Sequence, residues 1–162
     1  MSSQPEFCDP GEPLRSRRDR LKRQGKLPPL VHRAEATQAT TSKYGGKAFS
    51  WANSHTCIHM LRFQLRKMGH QPPPLPRIKS AIGAKRALVA NGWDGCAQML
   101  DSMLSRIPYA SATTGDVMLM ESEDPSGGAI VISVGQRVIG QHDEADGIVV
   151  MEPRQIVGAW RV

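Results

Sequence analysis

The feature that most limits how this chain can fold is a change of hydrophobic period at Pro108. Before it, apolar residues recur every three or four positions. After it, they fall into short β-branched runs separated by turn residues. Helices first and strands afterwards predict an α+β domain, with the helices packed on a small antiparallel sheet.

The helical part reads in three pieces. Ile58, Leu61, Leu65 and Met68 make one apolar stripe, which predicts a helix over about 56–68, closed by Gly69. Pro72, Pro73, Pro74 and Pro76 then impose an extended crossing. A second helix is expected over about 80–90, stopped at Asn91-Gly92, and a third over about 94–106, with Asp94 placed to cap it. Beyond Pro108 the runs 117–120, 129–134, 136–139 and 147–151 read as an antiparallel meander, with a last strand at 159–162. Leu61, Leu65, Leu100, Leu104, Val131 and Ile148 are the expected core between helices and sheet.

Residues 1–46 are expected to be a basic, Pro-containing, extended or disordered arm, and 47–162 the domain. Pro5, Pro10, Pro13, Pro28 and Pro29 interrupt any apolar period, and such a segment buries too little surface to offset its ordering entropy. The run Leu14–Arg23 is expected to turn helical only on a partner. The net charge of +6 is concentrated here: residues 1–48 hold ten Lys/Arg against five Asp/Glu. Arg15, Arg17, Arg18, Arg20, Lys22 and Arg23 are therefore the expected partner-binding residues. Nucleic acid is an unlikely partner for the arm, which has neither a folded reader nor interleaved aromatics.

No run of apolar residues is long enough for a transmembrane helix, and the first residues do not read as a secretory leader. Three cysteines without a CxxC pair predict free thiols in a reducing compartment and no structural zinc site.

Candidate chemistry centres on two residues. Cys57 opens a predicted helix, where the macrodipole favours a thiolate; it reads either as a nucleophile or as a small buried hydrophobe. His142 follows Val138-Ile139 in a polar loop beside Asp143 and Glu144, as a candidate partner of Cys57 or a solvated histidine. His55 and His59 have metal-ligand spacing, but no third ligand is evident, so neither a metal nor a cofactor is expected.

Trp51 shortly before Cys57, the segment Ala81–Leu88, Gly115-Asp116-Val117, and the terminal Ala159-Trp160-Arg161-Val162 occur in an order that resembles an uncharacterised family encoded among bacteriophage and prophage tail genes. That family resembles divergent NlpC-type, papain-like cysteine peptidases. The resemblance implies a papain-like fold, with Cys57 as the nucleophile position and His142 near the position of the polar residue that orients the base. The base itself should be a histidine opening the second strand, and Ala129 stands there. The implied function is a catalytically inactive structural or assembly component of a phage tail, at the tip or baseplate. It would reside in the virion after assembly in the host cytoplasm and contact other tail proteins through the arm. The alternative is an active cysteine peptidase or amidase that cuts cell-wall peptidoglycan during DNA delivery.

Overall fold

The computed structural model describes residues 14–25, 29–142 and 144–162. Among these the chain forms five α-helices: α1 Leu14–Arg23, α2 Pro29–Tyr44, α3 Cys57–Lys67, α4 Ala81–Ala90 and α5 Cys96–Met103. The strands β1 Ser105–Ile107, β2 Val117–Met120, β3 Ala129–Ser133, β4 Val138–Gln141, β5 Ile148–Met151 and β6 Ile156–Arg161 form one antiparallel sheet of order β1-β6-β2-β3-β4-β5. The α+β expectation is met.

Two of the helices start at a side-chain cap. Thr56, fully buried, caps α3 by accepting the His59 N–H, and Ser80 caps α4 by accepting from Gly83. The apolar stripe of α3 lies on the sheet: Ile58, Leu61 and Leu65 join Leu88, Leu100, Val117, Leu119, Ile130 and Trp160 in the main core. The third helix is shorter than expected. Its N-cap is Gly95 rather than Asp94, whose carboxylate instead accepts from Gln98. Leu104 turns extended and leads into β1, a short edge strand paired with β6.

Strand alternation divides the expected core. Leu61, Leu65, Leu100 and Leu104 are buried among helices and sheet. Val131 is buried on the opposite face, with Met118, Val138 and Ala159. Ile148 is half-buried against Tyr44, Met60 and Ile139. Successive strand residues point to opposite sides, so Ile130 and Ile132 meet the helices while Val131 between them cannot.

The expected boundary at residue 46 is corrected. Residues 29–44 are not an extended arm; they form α2, a helix that packs on α3. Pro29 occupies its first position, where the missing N–H has no intrahelical partner in any case. The face turned to the domain carries Ala36, Thr37, Thr40 and Tyr44. Thr37 donates to Arg33 O and Thr40 lies 3.0 Å from Ala36 O and 2.6 Å from Gln64 Oε1, so the buried hydroxyls are satisfied. Gln64, itself fully buried, donates to Thr37 Oγ1.

Arg33 ties α2 to the end of the chain. It donates to Thr114 O at 2.8 Å, to Val162 O, and to the Asp116 carboxylate. Asp116 has no exposed surface, and it also accepts from Arg161, Thr113 and the Val162 amide. Gly115-Asp116-Val117 and Ala159-Trp160-Arg161-Val162 are thus joined into one ion network around the buried Asp116, closed by a helix that lies outside both. Gly115 has φ +92, and a Cβ there would lie 3.3 Å from both Gln64 Nε2 and Thr37 Oγ1, which explains a glycine at this point.

The segment expected to fold only on a partner is also helical. It is α1, and Lys22 pairs with Glu35 of α2 at 3.4 Å. The side chains of Arg15, Arg17 and Arg18 lie outside the described residues.

Candidate functional site

Cys57 is the first residue of α3, and its half-buried side chain faces a cleft of about 230 Å³. The walls include Ala129 and Ile130 at the start of β3, Gln141 at the end of β4, His142 just beyond it, and Asp124 from the β2–β3 turn. Cys57, His142 and Ala129, which are far apart in sequence, therefore meet in one cleft. The turn that brings β3 in ends on Gly128, with φ +146. A Cβ there would come within 2.8 Å of Leu119 and 2.9 Å of Met120 O, so the backbone can only pass this close without a side chain.

The electrostatics favour a neutral thiol. Burial, followed by the neighbouring Cys96, pushes the Cys57 thiol from 9.0 up to about 12, although the Ile130 and Ile58 amides point toward the sulfur and act the other way. Cys96 is raised to about 11, again chiefly by burial, with a Ser126 hydrogen bond opposing. Both described cysteines carry free thiols.

His142 is held by its own loop. Its Nδ1 accepts the Glu144 N–H at 3.2 Å, which in the neutral ring leaves the proton on Nε2. No hydrogen bond joins it to Cys57 among the described residues. Gln141 is the residue that sequence reading missed: both polar atoms of its side chain are buried without a partner, in a wall of the same cleft. Its place at the end of a β-branched run carried no signal beyond polarity.

His55 and His59 each have a partner within the fold. His55 sits in a bridge with Ser50 ahead of the helix, and His59 Nδ1 lies 2.7 Å from the Thr56 hydroxyl that caps it. His59 is held below its ordinary value by burial first and by Arg62 and His55 next. Among the described residues no cluster of three or more His, Cys, Asp or Glu suits a metal, and no helix is long and apolar enough to cross a membrane.

No curated protein matches this chain. Residues 30–162 do match one family model, a span that begins within the first turn of α2 and so takes in the helix that carries Arg33. The chain belongs to that family, DUF6950, described as a domain of unknown function.

Proposed function

We propose that this protein is a non-enzymatic structural or assembly component of a bacteriophage tail, in the tip or baseplate region, built on a degenerate NlpC-type papain-like fold. One observation carries the inactive part of this reading. In the cleft of Cys57, the strand position that the resemblance assigns to the general base is Ala129, and the sulfur is held as a neutral thiol. A cysteine hydrolase needs a thiolate, a base that returns the proton to the leaving group, and donors for the oxyanion. The Ile130 and Ile58 amides offer donors, but the first two requirements lack a supplier. The motifs behind the resemblance have structural work instead: Asp116 and Arg161 close the ion network and Trp160 fills the core.

The tail assignment rests on the order of those motifs. The protein would reside in the virion and contact neighbouring tail proteins through α1 and the basic residues around it. The test compares wild-type protein with Cys57→Ala on purified peptidoglycan, together with tail assembly and infectivity of a phage carrying the variant. Equal background cleavage and intact assembly are expected. Cleavage that depends on Cys57 would replace this reading with the second one, a cysteine peptidase or amidase. A single observation favours that second reading: His142 and the unpartnered Gln141 amide share the cleft with Cys57.

A further inference from the structure

A second, larger cleft of about 610 Å³ lies on a different part of the domain, between the end of α2, one face of α3 and the proline-rich crossing after it. Lys43, Arg62, Arg66 and Arg77 line it, and no Asp or Glu does. Among the described residues none of these four is in an ion pair. Arg62 and Arg66 are four residues apart on one helix, so they face the same side and repel. An anion in the cleft would relieve that repulsion.

Two further observations show that the cleft is built rather than a chance cluster on a solvated face. Its rim is the turn 50–55, held by the Ser50–His55 bridge and by the Asn53 N–H donating to Ser50 Oγ. Within that turn Ser54 takes φ +58, a left-handed conformation costly for a residue with a Cβ, and both Asn53 and Ser54 line the cleft. Arg62 is also held in place, by donating to Pro73 O.

We propose that this cleft binds the phosphate backbone of a single-stranded nucleic acid. Three of the four cations are arginines, whose planar forks match phosphate oxygens. The uncharged amide and hydroxyl of Asn53 and Ser54 stand beside them, suited to sugar and base edges. The cations line a concavity, which admits a strand but not the convex surface of a duplex. Phe63 does not offer an open stacking face: Lys43 Nζ sits 4.2 Å from its ring centre and Lys67 Nζ 5.4 Å. Binding is therefore dominated by charge, tolerant of sequence and strongly salt-dependent. Nucleic acid is an unlikely partner on the sequence reading, which argues from the basic N-terminal segment; the cleft belongs to the folded domain and supplies the observation that segment lacks.

The test is fluorescence anisotropy of a labelled oligothymidylate with the full chain across a salt series. Each cation that neutralises a phosphate of a single strand contributes about −0.7 to the slope of log K against log salt. Arg66→Gln with Arg77→Gln, both exposed side chains whose loss leaves the core intact, should reduce that slope by about 1.4 and weaken binding about 25-fold at 0.1 M salt. Lys43→Gln provides an independent variant with half that slope change. A matching thermal melt confirms that each variant is folded. Three results would overturn the proposal: no binding by the wild-type chain at low salt, unchanged binding by the cleft variants while Arg15→Gln with Arg17→Gln and Arg18→Gln abolishes it, or displacement by oligoglutamate as effective as by unlabelled oligonucleotide. The last would assign the cleft to an acidic peptide.

Discussion

Replacing Arg33 with alanine tests whether α2 is part of the domain. The substitution removes three donated hydrogen bonds, to Thr114 O, Val162 O and Asp116. It leaves the Asp116 carboxylate, without exposed surface, facing Arg161 at 2.7 Å and the amides of Thr113 and Val162. Breaking a buried ion pair by removing one partner costs about 3–5 kcal/mol, because the remaining charge is stranded. Arg161 still holds the other carboxylate oxygen and its own side chain is 42% exposed, so the lower end applies, about 3 kcal/mol. For a chain of this size that corresponds to a fall in Tm of about 6–12 °C. Urea unfolding followed by circular dichroism measures it. In an Asp116→Asn background the same substitution should cost only about 1 kcal/mol, since no charge is left to strand. A loss below about 0.5 kcal/mol in the native background, or equal losses in both backgrounds, would refute the ion network as the clamp that holds α2.

Two other predictions follow from the same geometry. A chain starting at residue 28 should melt as a cooperative unit, whereas one starting at residue 47 should lack a cooperative transition, because it exposes Gln64 and strands Asp116; a cooperative melt of the shorter chain would restore the boundary at residue 46. The thiols make stability pH-dependent with a definite sign. Burial raises Cys57 from 9.0 to about 12 and Cys96 to about 11, so their contribution is intact below about pH 9 and is lost as pH rises through the folded values. Urea midpoints of wild type should therefore fall more steeply between pH 8 and 10.5 than those of Cys57→Ala, and parallel curves would show that Cys57 ionises as freely in the folded chain as in the unfolded one.

How much of this was legible in sequence depended on whether a face was made of carbon. The helix predicted over 56–68 is α3, because Ile58, Leu61 and Leu65 write its buried stripe in apolar residues. The strand runs after Pro108 were equally plain. The helix α2 was invisible for a physical reason. Its inward face is Ala36, Thr37, Thr40 and Tyr44, and hydroxyls that bond to carbonyls of the preceding turn or to Gln64 read as polar although they are buried. The short strand Ser105–Ile107 has no apolar run either; its partner β6 makes it a strand.

The side chains that decide the chemistry were set by tertiary structure alone. Sequence placed Cys57 at a helix start, where the macrodipole favours a thiolate; packing beside Cys96 and beneath β3 reversed that preference, because losing water costs an anion more than a helix end returns. Charge counting put the basicity in the N-terminal segment, since the eleven Lys/Arg of residues 49–162 nearly cancel against ten Asp/Glu as a total, although no acidic residue lies between Glu35 and Asp94. Folding then gathers Lys43, Arg62, Arg66 and Arg77 into one cleft. The sequence by itself determined the elements that hide carbon from water. Which charges and thiols face one another was decided only when those elements packed, because electrostatic neighbours are a property of distance in space and of local solvent, neither of which the order of residues records.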